Sequence, residues 1–310
     1  MMDTQVWVGM GPIYDLHSQG PYMHPLAFAF TVAALALTTH SNAETFQPPP
    51  ASRETLSGID LSGEPIAQSF KKDFDDCDQI PHHVRGKPQA QCMGRRKVLP
   101  KPGSNGQPTW VKDEKLPGVD PNNNTTLLKL ANEAILFDAK MAVDADGSGY
   151  AKKQAKFPDS PETSLRYSDR TSLDADKVAY AVLPLGFPEA TGLTLGDVAA
   201  IIYRDKITYA IIGDQSKAFR IGEGSIRLHE ALGQNGCLRR DQTGVCTQPR
   251  GHSIPKDVIY LVFPGTRSAL CPTTQAPIDH HKLCSEITPA NINQRVAEVG
   301  KAAFEKLKRN

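Results

Sequence analysis

Four short apolar runs constrain this chain most: Val178–Leu183 (VAYAVL), Val198–Tyr203 (VAAIIY), Ile207–Ile212 (ITYAII) and Val258–Phe263 (VIYLVF). They are rich in β-branched and aromatic residues, and each is bounded by Pro, Gly or Asp, so they read as strands. None alternates apolar with polar residues. Continuous apolarity of this kind belongs to strands buried on both faces. Arg204-Asp205-Lys206 separates two of the runs by the length of a tight turn, which makes Val198–Ile212 an antiparallel hairpin.

The flanking sequence is of a different kind. Residues 44–120 are rich in Pro, Gly, Asp and Lys and show almost no apolar periodicity, the mark of a loop-rich segment. From Thr126 onward, Leu127, Leu128, Ala131, Ala134 and Ile135 predict one face of a helix of about three turns. Near the chain's end, Thr288 can cap a helix, Pro289 suits its first turn, and Ile292, Val296, Val299, Ala303 and Leu307 line a stripe. Gly and Pro contribute 24 residues each, which favours short strands joined by many turns over a helical bundle. No fixed-period repeat is present. Lys plus Arg total 35 against 34 Asp plus Glu, so the chain lacks the basic footprint of a nucleic-acid binder.

The first 43 residues read as a leader. Pro25–Thr38 is an apolar stretch too short for the roughly 20 residues of a bilayer span, and it is followed by the small-x-small tripeptide Ser41-Asn42-Ala43. This predicts a signal peptide cleaved near Ala43, a secreted or periplasmic location, and no membrane association afterwards; the competing reading is a buried N-terminal helix. The 6 cysteines fall into local couples, Cys77 with Cys92, Cys237 with Cys246 and Cys271 with Cys284. Disulfides suit an exported chain, and the C-x2-C spacing of a zinc site is absent.

Two carboxylates occupy unusual places. Asp214 follows an apolar strand in Ile211-Ile212-Gly213-Asp214, and Glu223 sits in Ile221-Gly222-Glu223-Gly224-Ser225. If Ile207–Gly213 and Phe219–Gly222 pair around a turn at Gln215–Lys217, both acids stand near one mouth of the ribbon, within reach of the roughly 6.5–9.5 Å spacing of an inverting glycosidase. The alternative is that Asp214 caps the turn and Glu223 is a solvated strand-end acid. A second cluster, Asp144-Ala145-Asp146-Gly147-Ser148-Gly149, resembles the first half of a calcium loop, but Ala155 stands where an EF-hand needs its bidentate Glu. It reads as an Asx-rich turn or as a substrate-facing pair of acids that bind amino groups. The adjacent pairs His82-His83 and His280-His281 read as loop residues, and no metal ligand set or cofactor is expected. Ser225 lacks the G-x-S-x-G elbow of a nucleophilic hydrolase.

Taken together, Met141–Gly147, Glu162-Thr163, Tyr180–Pro184, Val198–Tyr203, Tyr209–Asp214, Ile221–Ser225 and Val258–Phe263 resemble, in order and spacing, the glycoside hydrolase family 75 chitosanases over residues 135–265. The resemblance implies endo-hydrolysis of β-1,4-linked glucosamine polymer with inversion, Asp214 and Glu223 standing at the catalytic positions. Glu223 would be the general acid and Asp214 the base, with exchanged roles left open. Where family members often carry a cysteine between the two acids of the D-x-D-G motif, this chain has Ala145, so a family disulfide is missing. Chitosan is a polycation in mild acid. Residues 131–235 hold more acids than bases and so suit it electrostatically. Asp144, Asp146 and Asp205 are candidate subsite acids, and Tyr209 or Tyr203 could stack on a sugar, though core packing is the plainer role for both tyrosines.

The expected fold is mainly β (α+β): a compact β-barrel with peripheral helices, six-stranded and of double-psi type by family analogy. The expected division is a leader at 1–43, a loop-rich segment at 44–120, a catalytic barrel at 121–268, and a cysteine-containing loop with a helix at 269–310. The expected partner is a polysaccharide, with the protein a monomer. Two rivals are a peptidoglycan-type glycan hydrolase on the same barrel and a non-catalytic glycan-binding module.

Overall fold

A computed structural model describes residues 43–66, 95–98, 109–112, 125–153, 162–216, 221–250, 252–272 and 279–309. The strands are β1 (Glu44–Thr45), β2 (Ser62–Pro65), β3 (Arg95–Val98), β4 (Thr109–Lys112), β5 (Leu127–Leu130), β6 (Ile135–Asp144), β7 (Tyr180–Pro184), β8 (Val198–Tyr203), β9 (Lys206–Ser216), β10 (Glu223–Ser225), β11 (Cys237–Arg240), β12 (Cys246–Pro249) and β13 (His252–Phe263). The helices are α1 (Gly149–Lys153), α2 (Phe187–Thr191), α3 (Ile226–Ala231), α4 (Arg267–Leu270) and α5 (Ile292–Leu307).

Six strands close on themselves in the order β6-β10-β7-β9-β8-β13, the ring sealed by β13 pairing back onto β6. The barrel is mixed: β10–β6 and β7–β9 are parallel, the other four pairings antiparallel. Closure removes the exposed edges that an open sheet would present. Outside the ring, β5 pairs with β6, β2 with β5 and β1 with β2, while β11–β12 and β3–β4 form separate ribbons.

The apolar runs explain themselves once the wall has two sides. Phe137, Ile201 and Tyr260 belong to one core cluster, with Phe137 and Tyr260 stacked at 4.5 Å between ring centroids. Their immediate neighbours Leu136, Ala200, Ile202, Ile259 and Leu261 point the other way. They form a second cluster with Phe46, Leu56 and Leu61 from the N-terminal segment and Phe304 and Leu307 of α5. Each strand of this part of the wall therefore buries both of its faces, at roughly 1.5–3 kcal/mol per large side chain.

The hairpin predicted for Val198–Ile212 is present: Tyr203 pairs with Lys206 across a two-residue turn, with Arg204 at φ 57. The helix predicted from Thr126 is not. Leu127–Leu130 and Ile135–Asp144 are instead the antiparallel strands β5 and β6, joined by a turn in which Glu133 takes φ 70. Leu127, Leu128 and Leu130 are all buried because β5 is covered on both faces, and a doubly buried strand mimics a helical stripe. The predicted β9–β10 ribbon is also overturned, since β7 lies between those strands and pairs with both. Helix α5 begins three residues after Pro289, with Asn291 as N-cap and no side-chain cap; the Thr288 carbonyl accepts from the Ile292 amide. Its buried stripe is Ile292, Val296, Gly300, Phe304 and Leu307. Two of the expected cysteine couples are disulfides, Cys237–Cys246 and Cys271–Cys284. Cys77, Cys92, His82-His83 and the leader lie outside the described residues. No helix among the described residues is long and apolar enough to cross a membrane.

Candidate active site

Strand β7 organises the site. Val182 pairs with Glu223 of β10 on one side and with Asp214 of β9 on the other. Directly opposed residues share a face of a sheet, so Glu223, Val182 and Asp214 form a row across three strands. Two interstrand steps of about 4.7–4.9 Å separate the two acid-bearing backbones.

Both acids owe their places to the glycines before them. The β7–β9 register jumps from Ala181↔Ile212 to Val182↔Asp214, leaving Gly213 as the extra residue of a bulge. Without the bulge Gly213 would oppose Val182 and the Asp214 side chain would leave the row. Only a glycine fits there, because a Cβ would come 2.7 Å from Cβ of Tyr180. Gly222 has φ +74, and a Cβ on it would run into the backbone carbonyl of Lys140. Its own carbonyl accepts from the Ala142 amide at 2.9 Å, and the buried Lys140 Nζ donates to the Ile221 carbonyl at 3.0 Å. These bonds fix the start of β10, which is only three residues long.

Asp214 is 4% exposed and Glu223 7%, so Glu223 is not the solvated strand-end acid of the alternative reading. Oδ1 of Asp214 accepts from the Ser164 amide at 2.8 Å, the Ser164 hydroxyl at 2.5 Å and the Gln215 amide at 2.7 Å. Asp214 and Gln215 both lie within β9, so the bond from the Gln215 amide is not the turn cap of the alternative reading, and the other donors come from 50 residues away. Burial pushes the Asp214 carboxyl up; the three donors pull it down, and the nearby Glu223 charge pushes it up again.

Asp144 and Asp146 complete a group of acids. Asp144 ends β6 opposite Ser225, two residues beyond the Ala142 that pairs with Glu223, and so lies on the same face. The Asp146 amide donates to its Oδ1 at 2.9 Å, the predicted Asx turn. One carboxylate oxygen each from Asp144, Asp146 and Asp214 lie within 4.8 Å of one another. Burial, then the charges of Asp214, Asp146 and Glu223, push Asp144 well above the usual carboxylate range. Burial with the Asp214 and Glu223 charges pushes Asp146 up to about 7. A donor set made only of carboxylate oxygens suits an ammonium group or a hard cation.

Three residues of this neighbourhood escape the sequence. Tyr180, fully buried, donates its hydroxyl to the Asp146 carbonyl at 3.1 Å and is also hydrogen-bonded to the Asp144 side chain. Ser164 reaches Asp214 from the irregular segment that precedes β7. His229 is buried with Nδ1 2.9 Å from the Ser225 carbonyl and Nε2 3.1 Å from the Met141 carbonyl, tying α3 to β6. The motif holding Tyr180 marks only a strand, and no local signal singles out Ser164. Ser225 has no nucleophilic freedom: it is buried, its hydroxyl donates to the Val178 carbonyl, and it accepts from the Tyr180 and Leu228 amides as the cap of α3.

The remaining candidates lie elsewhere. Asp205 is exposed in the β8–β9 turn, at the other end of β9 from Asp214. Tyr209 packs on α5, so closely that a Cβ on Gly300 would stand 2.6 Å from its ring; Tyr203 stacks under the Arg204 guanidinium at 5.0 Å. His280-His281 lies in a turn, where the His281 ring meets the Ser164 carbonyl at 3.2 Å.

A family model described as the fungal chitosanase of glycosyl hydrolase group 75 matches residues 141–301. The match takes in every acid of the group, the barrel strands from β7 to β13, and the start of α5, reaching beyond residue 265. No curated protein matches the chain.

Proposed function

The chain belongs to the fungal chitosanase family of glycosyl hydrolase group 75, matched over more than half its length, and we propose that it is an inverting endo-chitosanase with Asp214 as general base and Glu223 as general acid. The family makes it a glycoside hydrolase; the observation that carries the finer reading is the row Asp214–Val182–Glu223. Two carboxylates set one strand apart leave space for a water, as inversion requires at carboxyl separations of roughly 6.5–9.5 Å.

The triple donor set on Asp214 favours the base role, because it stabilises the ionised form. Asp214 takes a proton from water as the water oxygen bonds to the anomeric carbon from the face opposite the leaving group. The bond to the glycosidic oxygen breaks as Glu223 gives that oxygen its proton. The products are an inverted reducing end and a free 4-hydroxyl. The carboxyls finish with their protons exchanged and are reset through solvent.

Asp144 and Asp146 bind the substrate in this reading. Crowded acids with raised proton affinity gain most from a cation, and glucosamine supplies an ammonium at each ring. Asp205 and Tyr209 stand apart from the acid group and have no role in this reading. Two disulfides suit an oxidising compartment, in keeping with export. The test is reducing-end release from chitosan, with peptidoglycan as the competing polymer. Asp214→Asn and Glu223→Gln should each stay folded and lose at least about a thousandfold in kcat, whereas near-normal turnover in either ends the assignment.

A further inference from the structure

We propose that Ser164 is the positioning residue of the catalytic carboxylate, its amide and hydroxyl both donating to Oδ1 of Asp214 so that Oδ2 is the oxygen presented to the attacking water; the inference rests on the proposed role of Asp214. Oδ1 takes all three hydrogen bonds that Asp214 receives from the described residues, two from Ser164 and one from the Gln215 amide. Donors gathered on one oxygen fix the plane of the carboxylate as well as its charge. A base that must reach a water on one face of a sugar ring depends on that plane.

Ser164 is itself held from three directions. The next residue, Leu165, donates its amide to the Gly213 carbonyl at 3.0 Å, joining the serine segment to the bulge that aims Asp214. The preceding Thr163 hydroxyl donates to the Leu165 carbonyl at 2.6 Å and accepts from the Leu173 amide at 2.9 Å. Behind it, the Arg166 amide donates to the His281 carbonyl at 2.9 Å and the Leu283 amide to the Arg166 carbonyl at 2.8 Å. Those partners lie in the stretch between Cys271 and Cys284, which a disulfide closes. The Arg267 guanidinium fastens that stretch from outside through the Asp279, His280 and Lys282 carbonyls. A side chain braced in this way does more than fill a loop, because its fixed hydroxyl transmits a fixed geometry to one carboxylate oxygen.

The experiment measures kcat and KM on chitosan across pH for wild type, Ser164→Ala and Ser164→Thr, with thermal unfolding of each. Ser164→Ala keeps the amide donor and loses the hydroxyl. Its kcat should fall roughly ten- to hundredfold with KM little changed, and the acid limb of kcat/KM should move up by about one pH unit as the ionised Asp214 loses a donor. Ser164→Thr, which retains a hydroxyl, should restore both the rate and the limb. A Ser164→Ala enzyme with wild-type kcat and an unmoved limb overturns the proposal. So does a Ser164→Thr enzyme that unfolds like wild type yet is as impaired as Ser164→Ala. Asp214→Asn, assayed in parallel, separates the two levels: activity retained there removes the base role itself, whereas an inactive Asp214→Asn beside an unaffected Ser164→Ala removes only the positioning claim.

Discussion

Asp214 and Glu223 pair with the same residue, Val182, from opposite sides of β7. A strand that arrives in the chain more than thirty residues before either acid sets their separation. Their spacing is therefore a property of the barrel wall and does not depend on the short connection between β9 and β10.

Gly222 is a sensitive position because its carbonyl, accepting from the Ala142 amide, seats the start of β10 against β6. Its φ of +74 and the Lys140 carbonyl beside it leave no place for a methyl group. Gly222→Ala should cost at least about 2 kcal/mol in urea unfolding, and the protein that still folds should have reduced kcat because β10 carries Glu223. A variant with wild-type stability and rate would show that β10 is not held in this way.

The acid group should make the free protein less stable as pH rises. Asp146 is pushed up to about 7, and Asp144 and Asp214 are raised as well. Carboxyls whose folded pKa exceeds the unfolded value contribute stability that is complete below about pH 4, and for Asp146 it is lost as pH rises through about 7. Tm followed from pH 4 to 8 should fall more steeply for wild type than for Asp146→Asn, and parallel curves would contradict the crowding of these acids.

Much of the wall was legible in the sequence because burial on both faces leaves an unbroken apolar run. Val198–Tyr203 is read to the residue as β8, and Arg204-Asp205 turns where expected. The same property misleads at Leu127–Leu130, where leucines on both faces of β5 imitate a helix. The two glycine-preceded acids and the run that becomes β7 are each visible locally, but the insertion of β7 between the acids is not, because pairing partners distant in sequence leave no periodic trace. Ser164 is invisible for the same reason: its tie to Asp214 spans 50 residues, and a serine in a loop looks like any other.

The outer face of the barrel wall should tolerate change without loss of chemistry. Phe304 of α5 is buried in the cluster formed by Leu136, Ala200, Ile202 and Leu261, away from the acid group. Phe304→Ala should lose roughly 3–5 kcal/mol of stability, with kcat per folded molecule unchanged when measured well below its Tm.

The Cys271–Cys284 bridge closes a short loop, the two cysteines lying 13 residues apart. Its removal by the double Cys→Ser variant should cost about 3 kcal/mol. Since the stretch it closes braces Ser164, kcat should fall with it. Unfolding curves and rates of the double variant beside wild type, both with Cys237–Cys246 intact, check both effects, and a stable, fully active double variant would deny the brace.

The most direct measurement follows the anomeric protons of the first reducing ends released from chitosan by NMR, before mutarotation equalises them. A water activated by Asp214 on the face opposite the bond protonated by Glu223 yields the α-anomer first. Initial release of the β-anomer would mean that the two carboxyls do not work as a separated acid and base across Val182.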